Sequence, residues 1–273
     1  MIKALIIDLD GTLLNSAKSV STQDKETLIE CKGKGLELYF ATARPPLLET
    51  MLDSFDDIIR IFNGGIFYNG GLIKYDNICE YIYIEQEWLQ MLLFHLLYFD
   101  DCNIVFQMKD ECHSFRIPSD ISIKSWGITQ SNLVDFGYVI NNLAHFKIIK
   151  ILIFYGDITR PQKKLPNELI NVLNECRNLR VYITDHQKVA QIMHRSASKE
   201  NAINILCHHK SYKKENIAFF GDDEPDKIAL LQLPYSIAMY NALEHIKKVA
   251  KFVTLDNDHS GVSYAIHNYL KIL

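Results

Sequence analysis

The run Ala4-Leu5-Ile6-Ile7 is apolar at every position and then stops abruptly at Asp8-Leu9-Asp10-Gly11-Thr12. A strand without polar alternation is buried on both faces, which is the condition of an interior strand in a parallel sheet covered by helices. The stretch that follows keeps that grammar. Ser21-x-x-Asp24 is a capping-box signal for a helix that Gly33 and Gly35 close. Leu36 to Ala41 reads as a second strand, Pro45 as the start of a second helix, and Ile58 to Phe62 as a third strand ending at Asn63-Gly64-Gly65.

The last 75 or so residues return to strand–helix alternation. Lys199 to His208 reads as a helix, Asn216 to Phe220 as a strand and Pro225 to Leu231 as a helix. Tyr235 to Met239 and Lys251 to Thr254 are two further short strands. Between the halves the pattern changes to a mixture of helix (Trp88 to Phe99, Pro166 to Cys176) and short strands (Cys102 to Met108, Glu111 to Ile117, Ile148 to Tyr155, Arg180 to Thr184). The expected fold class is therefore α/β, a Rossmann-like parallel-sheet core formed by 1–78 and 186–273, with an α+β domain inserted at 79–185.

Bulk properties exclude several classes. A formal charge of −4 leaves no basic footprint for nucleic acid. The greasiest segment, Trp88 to Phe99, is too short to span a bilayer as a helix and reads as a buried helix, with a partner-facing helix second. The early apolar run is cut by Asp8, unlike the core of a signal peptide. Six scattered cysteines show no metal-type spacing and suit a reducing, cytoplasmic compartment.

Open α/β sheets bind ligands at the carboxyl ends of their strands. Three strands here end in polar clusters: Asp8-Leu9-Asp10-Gly11-Thr12, Thr42-Ala43-Arg44, and Gly221-Asp222-Asp223-Glu224-Pro225-Asp226, while Lys199 opens a helix between the last two. Singly, each has an ordinary reading as a turn, a cap or a solvated face. Together, in this order, they resemble motifs I to IV of the haloacid dehalogenase superfamily of phosphatases. The position of the insertion resembles the Cof-type, class IIB cap (C2B) branch. Asn63-Gly64-Gly65, Ser198-Lys199-Glu200, Ile237-Ala238-Met239 with Asn241-Ala242, Phe252-Val253-Thr254 and Gly261-Val262 add smaller matches.

The resemblance implies a Mg²⁺-dependent phosphatase acting on a small-molecule phosphate ester, a sugar phosphate or similar, through an aspartyl-phosphate. It implies Asp8 as nucleophile and Asp10 as acid and base. The phosphoryl group would be bound by Asp8, Leu9, Gly11, Thr42 and Lys199. Asp8, Asp222 and the Asp10 backbone carbonyl would hold the metal, with Asp226, Arg44 and Asn63 in support. Four carboxylates around one lysine call for a divalent cation on grounds of charge alone. Two positions depart from the family pattern: Pro225 stands where Asn is usual, and Asp223 adds a carboxylate. A phosphomutase using the same residues, or a weakened phospho-ligand binder, remain alternatives. His194-Arg195, just ahead of the Lys199 motif, is a candidate substrate contact, whereas Lys109, His113 and Arg116 read equally as surface residues.

Overall fold

The computed structural model describes residues 1–51, 56–158 and 160–273. They divide into two compact units, the first formed by 1–44, 52–80 and 198–273, the second by 45–51 and 81–197.

The first unit is built on an eight-stranded sheet. In spatial order its strands are Phe252–Val253, Tyr235–Ala238, Ile217–Gly221, Ala4–Ile7, Glu37–Ala41, Gly64–Phe67, Leu72–Tyr75 and Ile78–Tyr81. The first six run parallel, and Gly64–Phe67 pairs antiparallel with Leu72–Tyr75. Ala4, Leu5, Ile6 and Ile7 have no exposed surface, as an unbroken apolar strand requires. One face of this sheet, carrying Ala4, Ile6, Tyr39 and Ile66, packs on Ala202, Ile203 and Leu206 of the helix Lys199–Lys210 and on Ala229 and Leu230 of Lys227–Gln232. The helix Thr22–Gly33 starts as its sequence dictates, with the Ser21 hydroxyl accepting from the Asp24 amide. Asp24 does not complete the box through the Ser21 backbone. Its carboxylate accepts instead from the Ser263 amide at 2.7 Å, tying the first helix to Gly261–Ala265.

The expected third strand is displaced. Asp56–Ile59 is helical, and the strand begins only after Asn63, at Gly64. Four apolar residues among the five of Ile58 to Phe62 are ambiguous by periodicity, and pairing decided it. The Gly64–Phe67 strand has a partner on each side, while Phe62 stacks on Phe40 at 3.7 Å between ring centroids. The helix expected from Pro45 begins at Leu48 and is described to Met51; residues 52–55 lie outside the described residues.

The second unit carries a five-stranded sheet in the order Leu179–Thr184, Val189–His194, Ile148–Phe154, Asn103–Met108, His113–Phe115. All of the pairings are antiparallel. Val189–His194 pairs with both Ile148–Phe154 and Leu179–Thr184, so the stretch 186–197 belongs to this unit and not to the first, where the sequence boundary at 186 placed it. The helix Gln86–Leu96 buries Leu89, Leu92, Leu93 and Leu96 against this sheet and exposes Met91 and Phe94. His113 is fully buried, its ring bonded to the Glu111 carbonyl, and burial pushes its pKa down to about 4, so it is a neutral core group. No helix among the described residues is long and apolar enough to cross a membrane.

Gly70 links the sheet to the helix that bears Lys199. It has φ +100°, and a Cβ there would lie 2.2 Å from the Ser198 carbonyl oxygen. Ser198 is the N-cap of Lys199–Lys210, its hydroxyl accepting from the Asn201 amide. Gly70→Ala is expected to cost about 1–3 kcal/mol of stability by urea denaturation, since neither the backbone conformation nor the neighbour tolerates a methyl. The same substitution displaces the start of the helix, so activity falls more than stability predicts. Wild-type stability in Gly70→Ala would show that this close approach carries no strain.

Candidate active site

Three adjacent parallel strands deliver the polar clusters to one edge. Ile7 lies level with Phe220 on one side and Phe40 on the other, so Asp8, Asp222 and Thr42 all emerge at the carboxyl ends. The strand bonding continues past the strands themselves: the Asp8 amide donates to the Phe220 carbonyl and the Thr42 amide to the Ile66 carbonyl. After Asp8 the chain turns back on itself, with the amides of Thr12 and Leu14 donating to the Leu9 carbonyl and that of Leu13 to the Asp8 carbonyl. The turn needs glycine at position 11, where φ is +79° and a Cβ would lie 2.3 Å from an Asp222 carboxylate oxygen. The Asn241 side-chain amide fastens the turn by donating to the Gly11 carbonyl at 2.8 Å.

Lys199 stands at the first helical position of its helix and is almost wholly buried. Its ammonium donates to Asp8 Oδ1 at 2.7 Å and to Asp226 Oδ1 at 2.6 Å. The other oxygen of Asp226 accepts from the backbone amides of Asp222 (3.1 Å) and Asp223 (3.2 Å). Asp226 therefore holds Lys199 and shapes the loop that presents Asp222. Asp222 in turn accepts the Thr12 hydroxyl at 2.7 Å.

The charges in this cluster are not balanced. Burial raises the pKa of Asp8 well above its ordinary value, Lys199 opposes the shift, and Asp226 and Asp222 add to it. Burial, then Asp226 and Asp223, push Asp222 up to about 7 against the Thr12 hydrogen bond. Lys199 shows the converse: burial would lower its pKa, but Asp226 and Asp8 hold it above the usual value. One ammonium does not neutralise three carboxylates, two of them buried and Asp222 partly so. Acidic oxygens of Asp8, Asp222 and Asp226 lie within 4.8 Å of one another, a donor set able to hold a divalent cation. Since Asp226 is committed to Lys199 and two amides, Asp8 and Asp222 are the ligands best placed to supply it.

Asp10 is set apart from this group. Arg44 grips it in bidentate fashion, Nε to Oδ2 at 2.6 Å and Nη2 to Oδ1 at 2.8 Å, and Lys18 Nζ reaches Oδ1 at 2.7 Å. Burial alone would raise the pKa of Asp10, but Arg44 and Lys18 outweigh it and keep the group well below the carboxylate range. The expectation of four carboxylates around one lysine is corrected accordingly: Asp10 has its own cations. Thr42 is buried, its hydroxyl accepting from the Arg44 amide at 3.1 Å.

Asn63 is not part of the site. Its side-chain oxygen accepts from the Leu38 amide at 3.0 Å and from Lys32 Nζ at 2.7 Å, near the amino end of the second strand, because the third strand starts after Asn63 and does not end there. Pro225 is buried in a 3₁₀ turn, Glu224–Asp226, that Asp223 caps. Its fixed φ suits that position. The two departures from the expected motif thus form the turn that carries Asp226. Thr12, Lys18 and Asn241 are contacts that sequence reasoning did not single out as site residues; Thr12 and Asn241 lay inside motifs that could have revealed them, and Lys18 did not.

A sequence model of haloacid dehalogenase-like hydrolases matches residues 5–266. The chain belongs to that family. This haloacid dehalogenase-like hydrolase is a phosphoric monoester hydrolase, and curated relatives carry phosphatase names. It is 25% identical to the phosphatase YwpJ of Bacillus subtilis over 98% of its own length and 100% of that protein's. It is 24% identical to a 5-amino-6-(5-phospho-D-ribitylamino)uracil phosphatase of the same organism, over 98% of both chains. Its fold matches that of a subclass IIB sugar phosphatase of the superfamily with a TM-score of 0.82 at 22% identity, covering 99% of this chain and 100% of that one.

The raised pKa of Asp222 fixes the sign of one pH effect. A carboxyl whose folded-state pKa lies above its unfolded value favours folding at low pH, and that contribution is lost as pH rises through the folded pKa. In EDTA, Asp222→Asn should therefore become progressively more stable than the parent as pH rises from 3.8 to about 7, by thermal denaturation at a series of pH values. A difference that does not change with pH would show that Asp222 titrates normally.

Proposed function

We propose that this hydrolase is a Mg²⁺-dependent phosphatase of a small phosphorylated metabolite, a sugar phosphate or similar, acting through a phosphoaspartate on Asp8. The observation that carries the reading is the Lys199 ammonium 2.7 Å from Asp8 Oδ1, with Asp222 in the same acidic group and Asp10 separately fixed by Arg44. The relatives that act on a phosphorylated ribityl compound and on sugar phosphates support the substrate class.

In the first half-reaction an Asp8 carboxylate oxygen forms a bond to phosphorus as the ester P–O bond breaks. The electron pair leaves with the ester oxygen, which takes a proton from Asp10. In the second, a water oxygen bonds to phosphorus, the P–O bond to Asp8 breaks with its electrons returning to the carboxylate, and the water proton passes to Asp10. Lys199 and the Thr42 hydroxyl neutralise and orient the transferring oxygens, together with the backbone at Leu9 and Gly11. A bound Mg²⁺, held by Asp8, Asp222 and the Asp10 carbonyl, would supply positive charge opposite the phosphoryl oxygens.

The test uses p-nitrophenyl phosphate. Asp8→Asn should abolish turnover in a protein with unchanged circular dichroism, and EDTA should silence the parent until Mg²⁺ is restored. Turnover by folded Asp8→Asn refutes the nucleophile, and indifference to EDTA refutes the metal. Asp10→Asn should slow turnover by roughly 10²–10⁴-fold, least for substrates with good leaving groups. A loss equal across leaving groups would make Asp10 structural.

A further inference from the structure

Asn241 reaches the nucleophile turn from two strands away. It follows the strand Tyr235–Ala238, which pairs with Ile217–Gly221, which in turn pairs with Ala4–Ile7. Its side-chain amide donates to the Gly11 carbonyl at 2.8 Å, beyond the strand that presents Asp222. The amide is held to that orientation. The Asn257 backbone amide donates to Asn241 Oδ1 at 3.2 Å, which leaves Nδ2 for Gly11, and the Asn257 side chain donates to the Leu14 carbonyl at 2.8 Å. Asn257 opens a short 3₁₀ turn that Asp256 caps by accepting from the Asp258 amide. Asp258 in turn accepts from the amide and the hydroxyl of Ser16, each at 2.7 Å.

What Asn241 holds is the residue between two of the proposed metal ligands. The peptide on the amino side of Gly11 carries the Asp10 carbonyl, and the peptide on its carboxyl side carries the carbonyl that Asn241 bonds. Gly11 also lies against Asp222. A Cβ on it would fall 2.3 Å from Asp222 Oδ2, and the hydroxyl of the next residue, Thr12, donates to Asp222 Oδ1 at 2.7 Å. Glycine has the freest backbone of any residue, so its two flanking peptides keep a fixed relation only when they are held from outside. We propose that Asn241 is a positioning residue for the metal site, setting the Asp10 carbonyl against Asp222, a role that rests on the ligand set proposed above. Mg²⁺ demands near-ideal oxygen geometry, which makes its affinity sensitive to the displacement of one ligand.

The test measures the metal alone. Metal-free protein is titrated with Mn²⁺ in the absence of substrate, and the free ion is read by electron paramagnetic resonance. Asn241→Leu removes the donor at nearly constant volume and should weaken Mn²⁺ binding about three- to tenfold, the weight of one hydrogen bond. Asn241→Ala, without the bulk of leucine, should do the same. Asn257→Leu releases the Leu14 carbonyl but keeps the backbone amide that orients Asn241, so it should bind Mn²⁺ within about twofold of the parent. Urea denaturation without metal reads what each substitution costs the fold, a cost that does not enter the Mn²⁺ affinity of the folded protein. Parental affinity in folded Asn241→Leu or Asn241→Ala overturns the role of Asn241. So does an equal weakening in Asn257→Leu, which is the mark of a turn loosened as a whole. Parental Mn²⁺ affinity in Asp222→Asn overturns the metal assignment itself, and this role with it.

Discussion

The arrangement of the first unit depends on one buried ammonium. Lys199 has almost no exposed surface and donates to Asp8 and Asp226, two carboxylates contributed by segments far apart in the chain. A buried charge left without partners costs several kcal/mol, so each of the three groups is tolerable only in the presence of the others. The surrounding elements are accordingly placed to the tolerance of a hydrogen bond. Ser198 caps the helix that starts at Lys199, Gly70 lets the backbone of the sheet approach Ser198, and Asp226 draws in the amides of residues 222 and 223.

The second consequence of this cluster is electrical. Three carboxylates share one lysine, and Asp8 and Asp222 are both raised by burial and by the neighbouring charge of Asp226. The sheet geometry prevents relief by separation, because Asp8 and Asp222 follow strands hydrogen-bonded side by side. A site in this state is short of positive charge, and a cation with oxygen ligands answers that shortage better than further protonation at neutral pH. Asp10, two residues from Asp8 in sequence, escapes the shortage through Arg44 and Lys18. Two carboxylates on one turn thereby acquire opposite proton affinities, that of Asp8 raised and that of Asp10 lowered.

Much of this was legible in the chain. The unbroken apolar run before Asp8 required an interior strand, and the strand-end positions of Asp8, Thr42 and Asp222 placed them at one edge of a parallel sheet, because parallel strands have their carboxyl ends in common. The errors were equally physical. Ile58 to Phe62 carried a pattern that fits a helix or a strand, so the third strand was set six residues early and Asn63 was drawn into the site with it. The strand Val189–His194 was assigned to the wrong unit because its neighbours in the sheet, not its own residues, decide where it belongs.

By itself, then, the sequence determined the α/β core, the order of its motifs and the identity of Asp8, Asp10, Thr42, Lys199, Asp222 and Asp226 as the polar groups at its edge, since local pattern and strand direction suffice for these. Only the tertiary structure decided how they divide the charge. Lys199 goes to Asp8 and Asp226, Thr12 to Asp222, and Arg44 with Lys18 to Asp10. Such pairings depend on distances of less than 3 Å between residues up to 210 positions apart, and no spacing along the chain encodes them.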